Sequence, residues 1–207
     1  MEKHEEVYRK LKENGHEGWG GSKYQDRMEG LDKNLKRLLE KTQLKSGRML
    51  ELGSGAGDVS IWFAKRGFET YGVEISETAV EWAREKAGDL KCEFLHSSVT
   101  VPLNFHQEFD LVVDGNCLHC LFDSDRNKFY ENTKSALKEE GYLYIASVIA
   151  NNEGETAVVG PIPRCFLTRD VLVDEIEAYG YDLKYEWVNT HENHSHFIGI
   201  FKLMNKY

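Results

Sequence analysis

Three glycines at alternate positions, Gly53, Gly55 and Gly57, close the segment MLELGSGAGD, directly after an apolar run that carries Glu51. Glycine there permits positive φ and lets a ligand lie against bare backbone. A helix beginning after the turn presents unpaired N–H groups. Glu74 ends the next apolar run, 21 residues after Gly53. A carboxylate at that place accepts hydrogen bonds from ribose hydroxyls and repels a 2′-phosphate, so turn and acid together read as an adenosine site. A glycine turn alone is equally the mark of close helix-on-strand packing; Glu74 decides between the two. The third glycine falls one residue earlier than in G-x-G-x-x-G, and the turn holds no lysine or arginine for a pyrophosphate.

Other residues offer chemistry of their own. In DGNCLHCLFDSD, His119 is the candidate general base, because imidazole titrates near neutrality; a histidine packed beneath a sheet is the alternative. Cys117 and Cys120 make a C-x-x-C pair, which suits redox or metal chemistry, although two thiols on an apolar stretch read first as packing. His191, His194 and His196 lie close together, and His194 and His196 share one strand face. His194 and His196 read as acceptor-pocket residues rather than metal ligands, and no metal is expected. Arg164, in PIPRCF, is placed to clamp an acidic group.

The elements that must position these residues alternate from Arg48 onward. Buried-strand patterns occupy residues 48–52, 69–74, 91–96, 109–114 and 141–149, with helical patterns at 59–66, 78–87 and 124–138 between them. Such alternation implies right-handed crossovers and a parallel sheet with helices on both faces. A helix at 168–179, with Thr168 as N-cap, leads into strands at about 182–189 and 195–204. The polar THENH joint is too short for a helical crossover, so that pair forms an antiparallel hairpin. Ser76 is the other expected N-cap. Ahead of the sheet, a short helix lies within residues 1–22, with Val7, Tyr8 and Leu11 on one side. A second helix follows, carrying Tyr24, Met28, Leu31, Leu35 and Leu38 on one face.

Composition narrows the partners. The 207 residues are 41% hydrophobic and 29% charged with a net charge of −9, and no basic stripe is present to displace counterions from a nucleic acid. Nucleic acid is therefore not the expected partner, and a small molecule is. No run approaches the roughly 18 apolar residues of a membrane span, and the charged start of the chain lacks a signal-peptide centre. The four cysteines form no secreted-type framework. A cytoplasmic protein with reduced thiols is the expectation; the oligomeric state is not legible.

Taken together, LELGSGAG, the acid in YGVEIS, FDLVV and EEGYLYIAS resemble the class I S-adenosylmethionine-dependent methyltransferases over about residues 44–203. The resemblance implies an α/β, Rossmann-like, doubly wound seven-stranded sheet of order 3-2-1-4-5-7-6 with strand 7 antiparallel. Residues 44–207 would be the catalytic domain and residues 1–43 a helical cap. S-adenosylmethionine is the implied cofactor. Glu51, Gly53 and Gly55 would border its methionine end, Glu74 would hold the ribose, and Ile75 would cover the adenine. HSSV stands where the family usually has an acid, so Ser97 or Ser98 would take the adenine amino group, with the Val99 N–H facing the ring. Asp114 would face the methionine portion. Tyr24 would reach the methionine carboxylate or sulfonium, while Trp19 would hinge as a lid beside the substrate, with Arg164, His194 and His196 on the acceptor side. The implied reaction is in-line methyl transfer to a small molecule. A non-catalytic cofactor binder on the same scaffold is the alternative, and a nicotinamide-dependent oxidoreductase a more distant one, opposed by the glycine spacing.

Overall fold

The computed structural model describes residues 2–152, 162–190, 192 and 194–204. His191 and Pro161, both in segments singled out above, lie outside them. The sheet has seven strands in the order β3-β2-β1-β4-β5-β7-β6, from β1 (Gly47–Leu52), β2 (Phe68–Glu74), β3 (Cys92–His96), β4 (Phe109–Asp114), β5 (Leu137–Ile149), β6 (Tyr181–Thr190) and β7 (Ser195–Leu203). The expected strand order and antiparallel seventh strand are both present.

The chain divides into two compact units, residues 1–98 and 99–207. The first opens with α1 (Glu2–Glu13) and α2 (Tyr24–Thr42), followed by α3 (Asp58–Ala64) and α4 (Glu77–Ala87) between the strands. β1 pairs with β2, and β2 with β3, all parallel. β1 and β2 are almost wholly buried, as the apolar runs of a two-sided parallel sheet must be. β3 is mostly exposed and carries charge, which suits the end of the strand order. Ile61, Val80, Ala83, Ala87 and Phe94 form one core cluster, joining α3 and α4 to β3. Ser76 caps α4 as its position suggests, accepting from Ala79 N–H at 3.1 Å.

The second unit holds α5 (Ser124–Ala136) and α6 (Arg169–Ala178). β4 and β5 are parallel, while β7 runs antiparallel to both β5 and β6. Two expectations shift here. α5 ends at Ala136 rather than Lys138, because Leu137 is extended and pairs opposite Phe109; the register then slips before Leu111 meets Tyr142. Thr168 occupies the N-cap position of α6, but its side chain makes no capping bond. The face of α5 buries Phe129, Tyr130 and Thr133, and Thr133 Oγ1 accepts from the Tyr181 hydroxyl at 2.9 Å.

Gly57 shows why the third glycine cannot vary. Its φ is +78°, and a Cβ there would stand 2.9 Å from both Ala83 Cβ and the Phe94 ring. Backbone strain and core overlap therefore add. Gly57→Ala is expected to lower the unfolding free energy by about 2–3 kcal/mol, measured by urea denaturation; an unchanged midpoint would show that α3 and α4 shift apart freely.

Candidate functional site

The turn after β1 is pinned to the neighbouring strand, since the Gly53 and Ser54 N–H groups donate to Val73 C=O at 2.8 and 3.0 Å. Gly53 and Gly55 take positive φ. The end of β2 then folds back onto the turn through one side chain. Glu74 is only 5% exposed. Its Oε2 accepts from Gly55 N–H, and its Oε1 accepts from both Ile75 and Ser76 N–H, each at 2.9 Å. Burial raises its pKa, and the three N–H bonds oppose that rise. A carboxylate has roughly four lone-pair sites. Oε1 is filled and Oε2 keeps one, enough for a single further donor.

Glu51 turns toward α3. Its Oε2 accepts from the Ser60 N–H at 2.9 Å and the Ser60 hydroxyl at 2.6 Å. Burial pushes its pKa up to about 8 against those two bonds. Ile75 is half-buried, and its C=O lies 3.1 Å from His96 Nε2. Ser97 donates its N–H to Glu74 C=O at 2.9 Å, which sets both half-buried serines, Ser97 and Ser98, just past the end of β3.

Tyr24 donates to Asp58 Oδ1 at 2.8 Å. Asp58 also pairs with Arg27 at 2.8 Å and with Lys86. This buried acid, first residue of α3, thereby gathers α2 and α4 onto the end of the glycine turn. Sequence reading missed Asp58, Arg27 and Lys86, although an acid directly after the third glycine was a signal. It also treated Tyr8 as packing. Tyr8 is 7% exposed, and its ring packs with Ala56, Ala79 and Trp82 and lies 5.2 Å from the Trp19 ring. A Cβ on Gly55 would overlap the Tyr8 hydroxyl. One helical turn earlier, Glu5 accepts from Ser76 Oγ at 2.7 Å, from Thr78 N–H at 3.2 Å and from the Thr78 hydroxyl. The side of α1 that looked like a plain apolar stripe thus meets the turn.

In the second unit, Val99 is buried and its C=O accepts from Asn132 at 2.8 Å. Asp114 ends β4 and is buried; its Oδ1 accepts from Cys117 and Leu118 N–H at 2.9 and 3.0 Å. Its Oδ2 has no hydrogen-bond partner among the described residues, and burial pushes the group up to about 6. His119 is 2% exposed, and its C=O accepts from Cys165 N–H at 2.6 Å, which ties the Arg164–Cys165 segment to the short helical turn Leu118–Cys120. Arg126 braces that turn, donating to Leu118 C=O at 2.9 Å while pairing with Glu175. Arg164 is half-buried, with its Nε unpartnered among the described residues. The His194 and His196 rings stand edge to face at 5.4 Å. Among the described residues no group of three or more ligating side chains suits a metal, and the four cysteines are in no disulfide.

Residues 49–141 match the family described as "Methyltransferase domain". Over 112 residues the chain is 33% identical to the methyltransferase candidate YqeM of Bacillus subtilis (strain 168), covering 52% of this chain and 44% of that one. The chain thus spans less than half the length of the first curated relatives it matches. Among solved structures, a SAM-dependent methyltransferase of Methanosarcina mazei has a TM-score of 0.71 at 20% identity, over 79% of this chain and 95% of that one. The 1,6-didemethyltoxoflavin-N1-methyltransferase of Burkholderia thailandensis, solved with its acceptor and S-adenosylhomocysteine, has a TM-score of 0.68 at 17% identity, over 88% and 85%. At these identities the structures establish the fold. Among the described residues no helix is long and apolar enough to cross a membrane.

The raised pKa of Glu51 has a sign that a stability measurement reads. The folded protein keeps a proton that the unfolded chain releases near the ordinary carboxylate value. The associated stability is full below that value and is lost as pH rises toward about 8. Between about pH 5.5 and pH 8, Glu51→Gln is expected to remove a stability loss on the order of 3 kcal/mol, followed by urea unfolding at the two pH values; parallel profiles for variant and wild type would refute the shift.

Proposed function

We propose that the stretch matching the methyltransferase-domain family, residues 49–141, works as a class I S-adenosylmethionine-dependent methyltransferase, transferring a methyl group from S-adenosylmethionine to a small-molecule acceptor, with residues 1–43 as a helical cap. The observation that carries this reading is Glu74. Its carboxylate is fixed against the glycine turn by three backbone N–H groups and keeps one lone pair on Oε2. A ribose hydroxyl is the donor suited to that remaining site. The Tyr8 hydroxyl stands beside the Gly55 backbone and offers a polar group to a ligand at the turn. These residues fit the cofactor.

When bound, S-adenosylmethionine supplies an already activated methyl on a sulfonium. The chain's own task is positioning, which accounts for several kcal/mol of such a barrier. Glu74 would orient the ribose, Ile75 would cover the adenine, and Ser97 or Ser98 would accept from its amino group. Glu51 is committed to Ser60 and acts by holding α3 against β1, so it borders the site through backbone placement. Tyr24 is held by Asp58 and serves the cap in the same way. In the second unit, Asp114 offers Oδ2 to a donor, with the Val99 N–H for an adenine ring nitrogen. His119 is proposed as the base for an acceptor that must lose a proton. Trp19, Arg164, His194 and His196 are proposed on the acceptor side, where the half-buried guanidinium of Arg164 suits an acidic group. The acidic chain, without a basic stripe, supports a small metabolite over a nucleic acid.

Calorimetry tests the cofactor. S-adenosylhomocysteine is expected to bind, and Glu74→Ala to weaken it ten- to a hundredfold with the circular dichroism spectrum retained. Binding of NADH in its place, or no loss on removing Glu74, would sink the reading. A screen of small acceptors by release of S-adenosylhomocysteine separates an enzyme from a binder without catalysis.

A further inference from the structure

Tyr8 brings a hydroxyl to the glycine turn that no described protein group takes up. It is 7% exposed, and its hydroxyl reaches the place a Gly55 side chain would fill. Among the described residues that hydroxyl makes no hydrogen bond, although the charged groups nearest in effect are Glu74, Arg27, Asp58 and Glu51. The hydroxyl is not one of the side-chain atoms sealed from solvent without a partner, so the phenol buries its ring while its oxygen opens at the turn. Burial, with the charge of Glu74 next, holds its pKa well above the usual phenol range, so the group is a proton donor. A ligand seated at the turn would meet that donor unclaimed by the protein, beside the Gly55 backbone.

The hydroxyl is also held where it stands. Glu5 lies three residues before Tyr8, on the same side of α1. Its carboxylate accepts from the Ser76 hydroxyl, the Thr78 N–H and the Thr78 hydroxyl. These are the first residues of α4, immediately after Glu74 and Ile75. The same short stretch thus fixes the acid that would accept from the ligand and the helix that carries the donor. On the other side, Trp19 packs against the Tyr8 ring.

We propose that Tyr8 is a ligand-binding residue of the glycine-turn site, donating its hydroxyl proton to a ribose oxygen of the bound methyl donor, and that Glu5 is the positioning residue that sets its place. The assignment rests on the methyl-donor reading above. Donor and acceptor then grip the sugar together: Glu74 accepts from one ribose hydroxyl while Tyr8 gives to a ribose oxygen.

The test uses the full chain, calorimetry, and two probes, S-adenosylhomocysteine and 5′-methylthioadenosine, which share the ribose and differ in the amino-acid tail. Tyr8→Phe is expected to weaken both about fivefold. The variant should be at least as stable in urea, since it loses an unpartnered hydroxyl and keeps the ring. Glu5→Ala is expected to weaken both probes and to speed amide exchange in α1, with Glu5→Gln restoring most of the affinity. Adding Glu5→Ala to Tyr8→Phe should cost less than Glu5→Ala costs alone, because Glu5 acts through Tyr8. Unchanged binding in Tyr8→Phe overturns the proposal, and so does tighter binding, which would make Tyr8 a plug. A loss confined to S-adenosylhomocysteine moves the contact to the carboxylate tail and overturns the ribose assignment. If the wild type binds neither probe, the methyl-donor reading falls with it; if the wild type binds and the Tyr8 and Glu5 variants bind alike, the reading stands and this proposal alone fails.

Discussion

A buried carboxylate organises the first unit. Glu74 is nearly sealed from water, and burying a charge is costly unless it is hydrogen-bonded. The three N–H groups that meet this cost come from different places: one from the glycine turn, two from the chain as it leaves β2 for α4. The interaction that keeps the acid tolerable therefore also sets the distance between turn and helix start. The glycines follow from the same arrangement, because Gly55 must present its N–H to the acid while the Tyr8 hydroxyl stands against its open side.

Around this acid the unit repeats one device, a side-chain acceptor meeting backbone donors at a helix start. Glu51 receives Ser60 near the start of α3, and Glu5 receives Thr78 near the start of α4. Early helical N–H groups lack partners within their own helix, so a carboxyl oxygen placed there satisfies them. Asp58 extends the pattern with cations, holding Arg27 and Lys86 together with Tyr24. Helices α1 and α2 are thus fastened by polar contacts to the elements that bound the turn, as well as by the Tyr8, Trp82 and Trp19 packing.

The second unit solves a similar problem at the end of β4. Asp114 receives two successive N–H groups of the following loop, and Arg126 takes the carbonyl of Leu118 on the other side of the same peptide segment. Glu175 neutralises Arg126, so α6 is tied to the loop through a largely buried ion pair. Asp114 is thus oriented by its own following loop, with one oxygen left over, while the buried His119 ring sits in a turn braced from α5 and α6.

The sequence by itself determined the sheet. Short apolar runs alternating with helical periods favour strands joined by parallel crossovers, even for the largely exposed β3, and a five-residue polar joint favours the closing hairpin. It also placed the glycine turn and Glu74, because backbone freedom and an acid at a strand end are local properties. It did not show that Tyr8 and Glu5 meet the turn: a tyrosine among apolar helix positions has the same pattern whether it fills a core or faces a ligand. Asp58 was equally silent, since its meaning lies in Arg27 and Lys86, 31 and 28 residues away. Hydrophobic periodicity is written along the chain, whereas hydrogen-bond partners far apart in sequence are chosen only when the elements pack, and the tertiary structure alone decides them.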